Sequence, residues 1–187
     1  GYFNAQLGAE SCISCDMGKF SSTVGAASIA TCTSCQFGKY TSERGLSACT
    51  SCPSGKYGPA TGLTVCTECE RGKYISHSAQ LQCVPCPLGK FASESGMSLC
   101  KSCERGSFAE SFGMSQCDLC KAGTYSDSSG KSACSACDSG KYSEFRGVND
   151  SSHCQDCEPG RYSPVTGASS CALCASGKFG NLYGAKD

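Results

Sequence analysis

Cysteine is the residue type in this chain whose spacing indicates chemistry. All 20 cysteines fall into Cys-x-x-Cys pairs. Two thiols at this spacing can form disulfides, exchange electrons as a redox pair or bind zinc. The first cysteines of the pairs are Cys12, Cys32, Cys49, Cys66, Cys83, Cys100, Cys117, Cys134, Cys154 and Cys171. The steps between them are all 17 residues, apart from two steps of 20 that begin at Cys12 and Cys134. Such a strict period indicates one small unit copied in tandem.

The repeat covers the whole chain. Eleven copies fit, so we predict one continuous tandem array over residues 1–187, with a partial first copy at 1–11 and ten further copies that begin at the cysteines named above. Numbered from its first cysteine as position 0, the unit reads Cys-x-x-Cys-x-x-Gly-Lys-Tyr/Phe-x-x-x-x-Gly-x-x-x. Because the chain opens at position 6 and stops at position 16, we expect it to be a window of a longer array.

Two glycines recur at fixed positions of the unit. Position 6 is glycine in all eleven copies and position 13 in ten, which accounts for 21 of the 23 glycines. Glycine at a constant position implies a positive φ or a close backbone approach. The exception is Ala79, where a positive φ costs about 1–2 kcal/mol, so we predict a locally different turn there.

An aromatic ring occupies position 8 of every copy. These residues are Phe3, Phe20, Tyr40, Tyr57, Tyr74, Phe91, Phe108, Tyr125, Tyr142, Tyr162 and Phe179. Since this is the only large apolar group that each unit repeats, we expect a ladder of rings packed over neighbouring rings or disulfides. An aromatic ligand platform is the less favoured interpretation.

The rest of the unit predicts a short hairpin. Position 7 is Lys or Arg in eight of eleven copies, and beside an inward-facing ring on a strand it points outward, which places a basic row in solvent. Positions 9 to 12 are rich in Ser and Thr and precede a glycine, which is typical of a turn. We therefore predict a small disulfide-rich β fold, a linear solenoid-like stack of ~17-residue hairpin modules with little or no helix.

The repeat suggests one pattern of disulfides, although spacing alone does not determine connectivity. In this pattern the second cysteine of each pair closes a loop with the first cysteine of the next pair. The bonds are Cys15–Cys32, Cys35–Cys49, Cys52–Cys66, Cys69–Cys83, Cys86–Cys100, Cys103–Cys117, Cys120–Cys134, Cys137–Cys154 and Cys157–Cys171. Cys12 and Cys174 remain, and we expect their partners outside the window. Zinc knuckles, redox pairs and disulfides within each pair are the alternatives.

Composition favours cross-links over a large apolar core. The hydrophobic fraction is only 39%, cysteine included, and tryptophan is absent. A 17-residue unit cannot bury enough surface to hold itself together, and cysteine at this density is typical of oxidising compartments. The formal net charge is zero, with no basic run for nucleic acid and no apolar stretch long enough for a membrane helix.

No catalytic residue, metal or cofactor is expected. The only histidines, His77 and His153, lie in polar loops without a recognisable nucleophile or ligand set beside them. One modification site is readable, since Asn149-Asp150-Ser151 is an N-glycosylation sequon. It lies in the second of the two 20-residue units, where a longer loop has room for a glycan.

Three six-residue strings resemble a known repeat. They are Cys-Pro-Ser-Gly-Lys-Tyr (52–57), Cys-Pro-Leu-Gly-Lys-Phe (86–91) and Cys-Glu-Pro-Gly-Arg-Tyr (157–162). These strings resemble the cysteine-rich repeats of ephrin-receptor-like domains and the simplest single-disulfide module of tumour-necrosis-factor-receptor ectodomains. The resemblance covers essentially the whole chain and implies the disulfide pattern given above. Receptor ectodomains usually mix module types, whereas one module repeats here almost alone, as in long arrays that look like fibre or flagellar-hair (mastigoneme) proteins of protists and algae.

These observations predict a structural role outside the cell or at its surface. We expect an elongated, disulfide-stapled rod or filament that associates with itself or with other matrix and surface glycoproteins, and that carries glycans. The alternative is the stalk of a receptor or adhesin whose binding head lies outside this window.

Overall fold

The structure is a computed structural model that describes residues 1–6, 8, 10–178 and 180–187. Contacts divide the chain into two compact units, Gly1–Pro85 with Ala92–Leu99, and Cys86–Phe91 with Cys100–Asp187. One continuous array therefore stays a prediction. The described strands are β1 (Tyr2–Phe3), β2 (Ile13–Ser14), β3 (Lys19–Phe20), β4 (Thr33–Ser34), β5 (Lys39–Tyr40), β6 (Thr50–Ser51), β7 (Lys56–Tyr57), β8 (Thr67–Glu68), β9 (Lys73–Tyr74), β10 (Val84–Pro85), β11 (Lys90–Phe91), β12 (Lys101–Ser102), β13 (Ser107–Phe108), β14 (Asp118–Leu119), β15 (Thr124–Tyr125), β16 (Ser135–Ala136), β17 (Lys141–Tyr142), β18 (Gln155–Asp156), β19 (Arg161–Tyr162) and β20 (Ala172–Leu173).

Each repeat forms an antiparallel hairpin with the start of the next one. The odd-numbered strand of each hairpin carries positions 7 and 8, and the even-numbered strand that follows carries positions 1 and 2 of the next repeat. In the pair β15–β16, for example, Thr124 lies opposite Ala136 and Tyr125 opposite Ser135. The short paired strands and the near absence of helix confirm the predicted fold class.

A tight turn leads into the first strand of each hairpin. Across the described repeats, the position 7 N–H donates to the position 4 carbonyl at 2.9–3.1 Å, as Thr124 does to Lys121. The glycine at position 6 has a φ of 71° to 84°. A positive φ at the third residue is the mark of a type II β-turn, which explains the glycine at this position.

Successive modules are joined by a repeated set of backbone hydrogen bonds inside each unit. In the first unit, the Gly38 N–H donates to the Gly58 carbonyl at 3.0 Å, and the Gly62 N–H donates to the Cys35 carbonyl at 2.7 Å. In the second unit, the Gly106 N–H donates to the Ser126 carbonyl at 2.9 Å. These bonds satisfy loop backbone groups that a two-residue strand leaves unpaired.

The most buried side chains are smaller than the repeat suggests. Among the cysteines that form disulfides, the second cysteine of each Cys-x-x-Cys pair is at most 1% exposed, whereas most of the position 8 rings are half-buried. Position 9 is buried as well, for example Thr41, Ile75 and Ala92 at 3% exposure or less. Position 9 belongs to the Ser- and Thr-rich run from which we predict a turn, but the structure places it in the interior, so the turn prediction is wrong for this residue. The signal was the small size of the residues there, which are Ser, Thr, Gly or Ala in nine of eleven copies.

Ala79 shows that the prediction of a different turn at this position is wrong. It has a φ of 60°, in the same left-handed region as the glycines at position 13. Its N–H also donates to the carbonyl of Cys52 at 2.8 Å, the bond that the other modules make at this position. The module contacts therefore hold a strained alanine in the conformation of its glycine counterparts.

The two 20-residue repeats, here called the first and second long modules, use their three extra residues in the same way. These residues form a 3-10 turn directly before the next cysteine, Ile29–Thr31 in one unit and Ser151–His153 in the other. The turns are capped by side-chain oxygens of Ser28 and Asp150, which accept from the N–H two residues on at 3.2 and 2.9 Å. The longer loops are therefore ordered by local capping.

Candidate functional site

The repeated sulfur chemistry of the chain is disulfide bonding. The structure joins Cys15 to Cys32 and Cys137 to Cys154 across 17 residues, and joins seven further pairs across 14 residues, with Cα–Cα distances of 5.6–5.8 Å throughout. The seven are Cys35–Cys49, Cys52–Cys66, Cys69–Cys83, Cys86–Cys100, Cys103–Cys117, Cys120–Cys134 and Cys157–Cys171.

Each bond closes one hairpin and links one Cys-x-x-Cys pair to the next. A cysteine in a disulfide has no thiolate for zinc or for thiol exchange, so this arrangement staples the chain. Loops of this size gain about 3 kcal/mol per bond in the chain-entropy account of disulfides. The second cysteine of each bonded Cys-x-x-Cys pair is buried, so one end of each staple lies inside the module.

Two cysteines have no disulfide partner among the described residues. Cys12 is exposed and Cys174 is half-buried. Their pairing with cysteines outside residues 1–187 stays a prediction. Neither lies beside a group of metal-binding side chains, since no cluster of three or more such residues occurs in the part of the chain that the structure describes.

The aromatic rings at position 8 lie on the first strand of each hairpin. Phe3 is 8% exposed, and the nine rings from Phe20 to Tyr162 are half-buried. Phe179, the last ring of the expected ladder, lies outside the described residues. The Tyr142 hydroxyl lies at the exposed edge of its hairpin, where it donates to Gln155 Oε1 at 3.2 Å. This placement is that of packing groups with a wet edge.

The basic row at position 7 finds acidic partners at some modules. The hairpin register sets position 7 opposite position 2 of the next repeat, which brings Lys56 Nζ to 3.0 Å from Glu68 Oε1 and Lys141 Nζ to 2.8 Å from Asp156 Oδ1. Pairs as exposed as these contribute little stability, about 0–1 kcal/mol each. Their effect is to decide which charges remain available on the surface.

The glycosylation sequon lies on the surface of the second long module. Asn149 is exposed, and its carbonyl accepts from Arg105 Nη2 at 3.0 Å. The next residue, Asp150, accepts from the Ser152 N–H, and this backbone hydrogen bond holds the pKa of Asp150 below the ordinary 3.8. The Ser152 hydroxyl and the Arg105 guanidinium act in the same direction.

The histidines have ordinary loop surroundings. His77 is exposed, with Nδ1 2.8 Å from the hydroxyl of its neighbour Ser76. His153 is exposed and ends the 3-10 turn of the second long module.

In the described ranges, no helix is long and apolar enough to cross a membrane.

Comparison with known proteins gives a family match. The family described as tyrosine-protein kinase ephrin type A/B receptor-like matches residues 23–62, 55–98 and 113–154. These three matches run in tandem and together span well over half of the chain. No curated protein matches it. Repeats of this type are structural modules without catalytic machinery, and their setting is extracellular or receptor-like.

Proposed function

Because this chain belongs to the ephrin type A/B receptor-like family of cysteine-rich repeats, we propose that it builds an elongated, disulfide-stapled rod or filament outside the cell or at its surface. The family match and the density of disulfides support the secretory route, since bonds of this kind persist in oxidising compartments. The proposed role is mechanical spacing, with no catalytic step.

The observation that carries the proposal is the sameness of the module joints. Within each unit, the position 6 N–H of one module donates to the position 9 carbonyl of the next at 2.7–3.1 Å, at the nine joints from Gly18 to Gly160, whereas at the first joint the Gly1 amino group donates to the Gly45 carbonyl at 2.8 Å. A unit that contacts only its near neighbours in one repeated way grows along one direction, as solenoid proteins do. Each module also carries its own staple, so load on the chain is shared by covalent loops.

A receptor or adhesin stalk is the second candidate, and it uses the same modules for the same spacing. What separates the two is the rest of the protein. A membrane-spanning segment with a distinct binding domain in the full-length transcript would favour the stalk, whereas self-assembly of purified native material would favour the filament.

Electron microscopy of native material, together with peptide mapping without reduction, tests the filament. We expect thin threads, and peptides linked in the nine pairs described above. Reduction and alkylation of the same material is the control, and it should collapse the threads. Compact particles before reduction, or threads unchanged after it, would contradict the proposal.

We propose further that Asn149 carries an N-linked glycan. Its support is the exposed sequon on a loop that is three residues longer than most. The other long module has Ala27 at the same position and serves as an internal comparison. In a secreted sample, treatment with an N-glycosidase should convert Asn149 to aspartate and shift the mass of its peptide, and Asn149→Gln should abolish that shift. A bare Asn149 in the native peptide would overturn the assignment.

A further inference from the structure

An open groove lies beside the capped turn of the second long module. It has a volume of about 650 Å³, within the range of small-ligand sites. Three tyrosines and three carboxylates contribute to its lining, namely Tyr125, Tyr142, Tyr183, Asp138, Asp156 and Glu158. Tyr183 is 71% exposed, although most of its side-chain surface is apolar. Aromatic faces and carboxylates in one groove both attract positive charge.

The lining of the groove contains more carboxylates than basic groups. Lys141 is the only basic residue in the lining, and it is paired with Asp156 at 2.8 Å. Asp138 and Glu158 are exposed and form no ion pair within the described residues. At neutral pH the lining therefore has an excess of two negative charges next to three aromatic rings.

The first long module has an equivalent groove, in which the corresponding carboxylate is neutralised by an arginine. Its groove has a volume of about 150 Å³ and is lined by Ile13, Ile29 and Asp16 among others. Asp16 corresponds by repeat position to Asp138, but Oδ1 of Asp16 lies 3.4 Å from Nη2 of Arg44. The residue at the repeat position of Arg44 in the second case is Thr166, which has no charge. Of the two long modules, only the second therefore carries this excess charge.

We propose that this second groove, the Tyr142 groove, binds an arginine side chain of a basic peptide segment in a partner protein. A guanidinium stacks on tyrosine faces and donates paired hydrogen bonds to carboxylates, so it satisfies both features of the lining at once. A lysine ammonium satisfies the charge but lacks the planar stacking surface. This binding function is separate from the proposed mechanical role, because any module array could serve as a spacer without it.

The test uses the disulfide-bonded chain 1–187 and the probe peptide acetyl-Gly-Arg-Gly-Arg-Gly-amide, titrated by calorimetry and by amide NMR at low salt. Binding should shift amides around Tyr142 and should weaken as salt rises, because exposed charges are screened. The same peptide with citrulline in place of arginine keeps the shape and hydrogen-bonding edge but lacks the charge, and it should bind at least about tenfold more weakly.

Paired variants assign the effect to the groove. Asp138→Asn with Glu158→Gln removes both free charges without changing side-chain size, and it should weaken the arginine peptide about tenfold. Asp16→Asn, at the equivalent but already neutralised position, should leave the affinity unchanged. Amide exchange on all samples verifies that the modules remain folded.

Three results would overturn the proposal. They are equal affinity for the arginine and citrulline peptides, no effect of the Asp138 and Glu158 changes, and binding of a neutral oligosaccharide in preference to the arginine peptide. None of these results bears on the rod or filament, which microscopy of native material tests independently.

Discussion

Two glycines of one hairpin should respond very differently to the same substitution. Gly123 and Gly130 lie in the loop between Cys120 and Cys134, with φ values of 82° and 77°. A Cβ on Gly130 would make only ordinary van der Waals contact, with Ser102 Oγ the nearest atom at 3.7 Å. A Cβ on Gly123 would overlap the backbone carbonyl of Gly167. The pair separates the cost of a positive φ from the cost of a backbone clash.

The expected free energies follow from these surroundings. For Gly130→Ala, the left-handed conformation costs about 1–2 kcal/mol, partly offset by about 0.4–1 kcal/mol from a less flexible unfolded chain, which leaves a loss of about 1 kcal/mol. Gly123→Ala adds overpacking of about 1–3 kcal/mol. It also disturbs two backbone hydrogen bonds, from the Gly123 N–H to Ser143 at 2.7 Å and from the Cys137 N–H to Gly123 at 2.9 Å. At about 0.5–1.5 kcal/mol each, these bring the total to roughly 3–7 kcal/mol.

Amide hydrogen exchange on the oxidised chain measures the difference locally, which suits a repeat array that does not unfold as one two-state body. Residues 120–137 should lose far more protection in Gly123→Ala than in Gly130→Ala, with distant modules unchanged in both. Ala79, which already occupies the equivalent of Gly130 in another module, supports the mild outcome. Equal losses in the two variants would refute the argument, because they would mean that φ alone governs both sites.

Three further outcomes are expected. The buried hydroxyl of Ser143 has no hydrogen-bond partner among the described residues, whereas the hydroxyl of Ser126, at the same repeat position, donates to the carbonyl of Ser128 at 3.1 Å. Ser143→Ala should therefore leave the module unchanged or stabilise it by about 1 kcal/mol, and Ser126→Ala should destabilise it. Local hydrogen exchange measures both effects. Removal of the Cys103–Cys117 bond by paired alanines should cost about 3 kcal/mol and open that loop first to limited proteolysis, and protection equal to that of the native loop would contradict the staple argument. The pKa of Asp150 is lower in the folded chain than in the unfolded chain, so the ionised side chain stabilises the 3-10 turn at pH values above the unfolded pKa. This stabilisation is lost as the pH falls through the folded pKa, below 3.8, and the Ser152 amide should then lose its protection from hydrogen exchange. Asp150→Asn should remove this pH dependence.

The module itself could be predicted from sequence because its determinants are local and repeated. The position 6 glycine, the ring two residues later and the cysteines 14 or 17 residues apart all act within one hairpin. Eleven copies make each signal visible against the variation of the other positions. The type II turn and the strand pairs that the structure shows follow from these few residues.

The buried position 9 and the Tyr142 groove were not predicted, because they depend on contacts between modules. Whether a residue such as Ser143 faces solvent or a neighbouring backbone is decided by how one hairpin seats on the next. The groove needs side chains from positions as far apart as Tyr125 and Tyr183, and its free charge depends on Thr166 standing where another module has an arginine. No pattern within one repeat carries that information.

The sequence by itself thus determined the period and the short hairpin and favoured disulfides in an oxidising compartment, since these follow from residues within one repeat and from their recurrence in the next. Only the tertiary structure decided which glycines touch a backbone carbonyl, which small side chains form the interior and which carboxylates stay unpaired. The physical reason is that a clash, a buried surface and an ion pair are all set by distances between modules, and residues about 20 to 44 positions apart meet only after the hairpins have stacked.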